Sequence, residues 1–595
     1  MSTTAFSYQA LSSNHIRVLE LQPAQKGETL VCKLRTQGLQ EIPYEAISYV
    51  WGKPTKDVTI LCDGQILSIT TNLSEALAAF RLKGEPRRLW ADGICINQDD
   101  DTEREAQVRL MGQIYSTAER VLGWLGPDDG NGRLIKDIIY RFNYRPDESI
   151  QYVQEALRLP QTPDGNFVAE WNAIKDFFDR PFFHRVWIIQ ELGLGKQAML
   201  WFGSHSIDWS EISRFVFILD NKAAFLVNHF RLRSWIVNHT YLIWQHFNGR
   251  PRYSFEEILH WARVHQSTDQ RDRIFAMLGH PSATVDGSLV VQPNYASSYT
   301  HLDAYVDTAK AIITRNKALR ILCFVDHDEQ PDSSSSGLPT WAPAWHIENK
   351  VMFLSYPSCA GPVTDPWIDI SQSGDMSVLR VRGFVVDTIS ALSNIMDAPG
   401  FLVTTREDEL RKSIPFLLDH LWGVLSETST DSATKEQCLE SIGLALACEW
   451  VDGKHAVQNR AKHGADFAAY ILEYENILEE ATSSKLLASF PPEFKQEIQV
   501  RSIGGSAVQF VQSMQSCNAR RIFRTTEGRY GLGPRIARPG DSCCVLAGSQ
   551  FPMIMRKAQD KWQVVGQTIL QGYMDFEAFT LFRQSKLPLH VFSII

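Results

Sequence analysis

The chain contains no CxxC pair, no GxxxxGK[ST] loop, no apolar run long enough to span a bilayer and no block of Lys and Arg. Each absence removes a class. Ten cysteines stand at 32, 62, 95, 323, 359, 438, 448, 517, 543 and 544 without zinc spacing, so they read as small buried hydrophobes of a reducing compartment. Even the adjacent Cys543 and Cys544, in the strand-like GDSCCVLAG, fit packing better than redox or metal chemistry. Without a phosphate-binding loop the chain carries no nucleotide switch of its own, so control must come from its C-terminal region or from another protein. Asp and Glu outnumber Lys and Arg by 68 to 59, which argues against a nucleic-acid partner. The opening MSTTAFSYQALSSNHIRVLEL has no basic stretch followed by an apolar core, so no signal peptide is expected. With no membrane span either, the expected location is intracellular and cytoplasmic.

What is present is ordinary globular material, 44% hydrophobic and 21% charged. At 595 residues it exceeds one hydrophobic core and predicts two to four domains. The first third alternates strand-like and helix-like segments. Strands are expected near 44–51, 87–96, 120–125 and 197–203, with a hairpin around Asp63-Gly64 in VTILCDGQILSIT. Asn72 is expected to cap a helix, LSEALAAFRLK, and a second helix runs from about 101 to 118, with Val108, Met111, Ile114 and Tyr115 on one face. Strands alternating with helices imply an α/β layer with a mainly parallel sheet.

Residues 128–170 look like an insertion. Residues 206–325 read as helical, with Thr268 or Asp269 capping RDRIFAML, and 326–339 (DHDEQPDSSSSGLP) as a linker or exposed loop. Residues 340–518 read as mixed and mostly helical, with a strand near 378–391. Residues 519–595 hold short β runs broken by Gly, Pro and charge, which predicts a small antiparallel barrel or sheet.

Three segments then point to a family. YEAISYVWG (44–52), LWADGICINQDDDTEREAQVRLMGQIYSTAERVLGWLG (89–126) and RVWIIQELGLG (185–195) resemble, in order and spacing, the three motifs of the fungal heterokaryon-incompatibility (HET) domain. STDQRDRIFAMLG (267–279), LPTWAPAW (338–345) and residues 520–548 resemble segments of HET proteins with long C-terminal regions. The resemblance places the HET domain at 44–205, after a lead-in at 1–43. It implies a role in fungal self/non-self recognition, with the HET domain triggering programmed cell death. It also implies a TIR-like (flavodoxin-like) fold: YEAISYVWG is similar to the first TIR strand, and WIIQEL to the TIR helix bearing Trp and then Glu four residues on. In enzymatic TIR domains that Glu cleaves nicotinamide from NAD. Here it is Glu191, which the resemblance makes the catalytic candidate, with NAD as substrate and no permanently bound cofactor.

The residues themselves leave two readings open. Trp187 and Glu191, four apart, share a face if helical, among Phe182, Phe183, Val186, Ile188, Ile189 and Leu192. A carboxylate in so apolar a helix is costly unless paired or used. Either Glu191 meets an Arg (Arg185 or Arg104), or it stabilises oxocarbenium character at a ribose. Asp92, ending a strand, either contacts a ligand hydroxyl or caps the loop before Cys95, which Asn97 and Gln98 help to organise. Tyr49, Trp51 and Gly52 close the first strand. They are either a stacking surface with room for a ligand's close approach, or core and turn. His229, His239 and His246 read as satisfied helix histidines rather than metal ligands. Arg271 and Asp272 read as a helix-start charge pair. The functional alternatives are an NAD-cleaving effector and a non-catalytic module that kills by self-association through the HET domain and partner recruitment, including an unknown incompatibility partner.

Overall fold

The computed structural model describes residues 4–25, 27–158, 165–247, 250–327, 337–347, 367–373, 376–396, 417–426, 432–448, 450–451, 454–455, 460–479, 486 and 490–595. They fall into two compact units, Met1–Ala304 and Tyr305–Ile595.

The first unit is built on nine strands: β1 (His15–Leu21), β2 (Val31–Gly38), β3 (Glu45–Tyr49), β4 (Val58–Cys62), β5 (Gln65–Ile69), β6 (Arg87–Trp90), β7 (Val121–Trp124), β8 (Ala198–Phe202) and β9 (His205–Asp208). Their order across one sheet is β5-β4-β2-β1-β6-β3-β7-β8-β9. The middle four, β6-β3-β7-β8, are mutually parallel. They correspond to the four strands expected from the sequence. Every residue of β3 and of β7 is buried, as a parallel strand covered on both faces requires. At the centre of β7, Gly123 leaves no room for a side chain: a Cβ there would lie 2.3 Å from Leu200 Cδ2 and 3.2 Å from Phe182.

The sheet as a whole is mixed, which corrects the expectation of a mainly parallel one. β1 pairs antiparallel with both β2 and β6, while β5 and β9 close antiparallel hairpins at the two edges. Residues 15–38, expected to lie in a lead-in, therefore supply two strands of the domain's own sheet. They do so because IRVLEL is almost wholly buried between β2 and β6. The unit also continues past residue 205 through a run of helices, among them Trp209–Lys222, Ser234–Ile243 and Phe255–Ala262.

The helices interspersed with these strands are α1 (Thr71–Phe80), α2 (Asp92–Cys95), α3 (Asp101–Thr117), α4 (Gly132–Tyr144), α5 (Pro146–Arg158), α6 (Gly165–Phe178) and α7 (Ile188–Leu194). Thr70, not Asn72, caps α1, its hydroxyl accepting from Leu73 N–H. Asn72 sits inside the first turn, where its amide donates to the Val50 carbonyl and so ties α1 to the end of β3. The strand expected over 87–96 stops at Trp90. Beyond Ala91 the chain turns at once into α2, with Asp92 in its first turn. The Asp63-Gly64 hairpin forms as predicted, both residues adopting positive φ (49° and 79°).

The second unit is a β structure with helices. Met376–Leu392 is a long strand that pairs with Ile368–Ser373, Arg520–Thr525, Ser542–Leu546 and His590–Ile594. Pairing runs on from Ser542–Leu546 through Met553–Ala558 and Lys561–Gln567 to His590–Ile594, which returns to the long strand, so five strands close a ring. A ring leaves no exposed edges along its circuit. Helices Leu417–Leu425, Ser432–Leu446, Arg460–Glu479 and Pro492–Arg501 accompany it. Most of the expected linker, 328–336, lies outside the described residues, as do 401–416 of the segment expected to be helical. The nine described cysteines are all free and buried; Cys359 falls outside. Among the described residues no helix is long and apolar enough to cross a membrane.

Candidate functional site

The carboxyl ends of β3 and β6 bring the acidic candidates together. Ser48 lies in the wholly buried β3, and its hydroxyl donates to Glu191. Glu191 is 2% exposed, and Arg185 also reaches it, Nη1 to Oε2 at 3.3 Å. Of the two arginines the sequence offered as partners, Arg185 takes the role. Arg104 instead pairs with Asp101 and lies over the Tyr295 ring. Burial raises the Glu191 carboxyl above its usual range and nearby Asp92 adds to this, while Arg185 and the Ser48 bond oppose it. Burial disfavours charge on Arg185, but Glu191 and Asp92 outweigh it and hold the guanidinium protonated.

Asp92 forms the outer half of the cluster. One oxygen accepts from the Trp51 indole N–H at 2.8 Å and the other from Gly93 N–H at 2.7 Å. Tyr49 lies beside it, and its phenol is pushed up by burial and then by that carboxylate. Gly93 is required here: a Cβ would lie 2.6 Å from the Tyr49 hydroxyl. Tyr115, donating to the Ile47 carbonyl from α3, completes the wall. Gln98 donates to the Asp92 carbonyl, and Glu103 accepts from Asn97 N–H, so the loop after α2 is organised as expected. Trp51 is 39% exposed, and Gly52 beside it has φ +71°. The site therefore grades from an exposed indole, through Asp92, to a closed Glu191.

Trp187 departs from the expected arrangement. It precedes α7 rather than lying within it, and its indole donates to Asp272 at 3.1 Å instead of joining the Glu191 cluster. Arg271 and Asp272 do not pair with each other. Arg271 takes Asp269, and Asp272 accepts from the Tyr295 hydroxyl at 2.5 Å. Burial, aided by Asp269, raises the Asp272 carboxyl to about 6 against the pull of those two donors. Further contacts hold α7 from the same side. Gln190 accepts from Gly279 N–H at 2.8 Å, and the Trp244 indole donates to the Ile189 carbonyl at 2.7 Å. Sequence reasoning missed Ser48, although a hydroxyl between Ile47 and Tyr49 in a short buried strand is a legible signal. It also missed the α7 clamp, whose parts are spread from 244 to 295. Among the described residues no group of His, Cys, Asp and Glu is placed to hold a metal.

This sheet, its acidic cluster and the separate β ring agree with two family matches. Residues 44–191 match the Heterokaryon incompatibility protein (HET) family, and residues 376–586 match the Het-6 beta-barrel domain. The chain thus carries a segment similar to the HET family and, later in its sequence, one similar to the Het-6 beta-barrel domain. Over 96% of its length it is similar, at 25% identity, to Heterokaryon incompatibility protein 6, OR allele, of Neurospora crassa, 96% of which is covered. No solved structure matches the chain.

Proposed function

We propose that this protein is a fungal incompatibility effector that triggers cell death by TIR-like hydrolysis of NAD, with Glu191 as the catalytic carboxylate. The incompatibility role rests on similarity to the Neurospora protein, whose name states it. The observation that carries the chemical reading is position. Numbered along the chain, the four parallel strands β3, β6, β7 and β8 lie in the order 2-1-3-4, which is the flavodoxin-like order. In such sheets ligands bind beyond the carboxyl ends where that order reverses, and the end of β3 is where Ser48 holds Glu191 and Tyr49 meets Asp92. In the reaction the C1′–nitrogen bond of the nicotinamide ribose breaks, nicotinamide departs with the bonding pair, and water adds to C1′ with loss of a proton. Glu191 stabilises the positive charge that develops at C1′, and Trp51 with Asp92 forms the rim that meets the nucleotide.

In the structure Glu191 is closed in, so turnover requires Arg185 and Ser48 to yield it. That burial favours a second reading, in which the Glu191–Arg185 pair is structural and the domain kills by self-association and recruitment. One variant separates them. In a fungal host, Glu191→Gln of the full chain should abolish NAD loss and death while its purified form melts normally. Removing one such electrostatic contact costs on the order of a hundredfold or more in rate. A stable Glu191→Gln protein that still kills, with NAD unchanged in variant and wild type alike, would sink the catalytic reading.

A further inference from the structure

Three helices of the second unit, Ser432–Leu446, Arg460–Glu479 and Pro492–Arg501, enclose a cleft of about 560 Å³, part of it open to solvent. Its floor is apolar and aromatic, formed by Leu439, Phe467, Phe494 and Ile498. At its rim Glu436 and Glu440 face Arg460 and Arg501, and the two signs balance. Arg501 is already committed to Glu440 at 3.0 Å and Glu497 at 2.6 Å. His463 lines the same cleft. It is 5% exposed and stacks on Phe467. Burial lowers the imidazole to about 4, so it is neutral at physiological pH. Gly464, next along the helix, also lines the cleft, and a Cβ built on it meets nothing within 4 Å.

We propose that this cleft binds a small, mainly apolar molecule without net charge, seated on the Phe467–Phe494 floor. A balanced rim gives a monovalent ion no net attraction, while a concave apolar floor with a few polar groups at its edge is the usual form of a small-molecule site. The site is independent of the Glu191 cluster and of the NAD reading.

The probe is N-phenyl-1-naphthylamine, an uncharged aromatic amine with one N–H, titrated against the full chain by fluorescence. Saturable binding at one site is expected. Gly464→Ala should weaken it several-fold, and Gly464→Leu, whose side chain enters the cleft, about tenfold or more. Both variants should fold, because Gly464 is helical and its added atoms meet open space. Gly423→Leu, at an exposed glycine of another helix with equally open surroundings, should bind as wild type. The sulfonated analogue 8-anilinonaphthalene-1-sulfonate should bind about tenfold more weakly. No saturable binding to wild type, or unchanged binding by a folded Gly464→Leu protein, would overturn the site. Equal or tighter binding of the sulfonate would overturn the uncharged ligand class.

Discussion

Asp272 is where the clamp on the Glu191 helix becomes measurable. Its carboxylate holds Trp187, the residue from which α7 starts, and Tyr295, whose ring lies beneath the Arg104 and Arg271 guanidiniums at 4.2 and 5.1 Å. The carboxyl is raised from 3.8 to about 6, so the folded protein binds this proton more tightly than the unfolded chain does. Below about pH 4 both states are protonated and the site is neutral in its effect. Between about pH 4 and 6 the folded state holds more protons, and stability falls as pH rises. Above about pH 6 the loss is complete. Two units of pKa correspond to about 3 kcal/mol. Asp272 retains some solvent exposure, so half that value is the lower bound. Asp272→Asn keeps an oxygen for the Trp187 indole and an amide for the Tyr295 hydroxyl, but it cannot ionise. Relative to wild type the variant should therefore gain roughly 1.5–3 kcal/mol of stability between about pH 4 and pH 7.5. At roughly 2 °C per kcal/mol this is a relative rise in Tm of about 3–6 °C, read by differential scanning fluorimetry of both proteins across that range. A difference in Tm that stays flat with pH would refute the assignment of a charged, poorly solvated Asp272.

Other substitutions test the frame around the site. Arg17 (3% exposed) pairs with Glu103 and donates to the Cys95 carbonyl. Arg17→Leu strands a mostly buried carboxylate, and a loss of about 3–5 kcal/mol is expected by denaturant titration; a loss under 1 kcal/mol would show that Glu103 finds water instead. Gly123→Ala drives a Cβ into Leu200 at the centre of the sheet and should cost about 1–3 kcal/mol, seen as a lower Tm. In the second unit Asp541 grips Arg556 with two 2.8 Å bonds at 2% and 5% exposure. Asp541→Ala should cost about 3–5 kcal/mol there, measured by loss of cooperative melting in that unit.

How far the sequence was legible can be judged element by element. The strands β3, β6, β7 and β8 were visible because parallel strands buried on both faces read as short apolar runs between turn signals. β1 was not recognised because its burial depends on neighbours, β2 and β6, that a local pattern does not reveal. Asn72 looked like a cap because it is a capping residue type just before an apolar helix. Thr70 holds the position instead, and the Asn72 amide satisfies Val50. At the site, the resemblance to TIR domains pointed to Glu191, whose apolar neighbours are a local property, and Asp92 stood out because it follows a strand. Which arginine answers Glu191 is not local: Arg104 and Arg185 were equal candidates until the fold placed one on Glu191 and the other over Tyr295.

By itself, then, the sequence determined the class of layer, the parallel centre and the barrel-like end, since these follow from periodicity and turn chemistry. Tertiary structure alone decided that Trp187 turns to Asp272, that Ser48 and Arg185 close over Glu191, and that Trp51 joins Asp92. Each of these contacts links residues whose meeting depends on the order of strands across the sheet or on the packing of α7. That order is set by the summed burial of whole elements and leaves no mark in any short window of sequence.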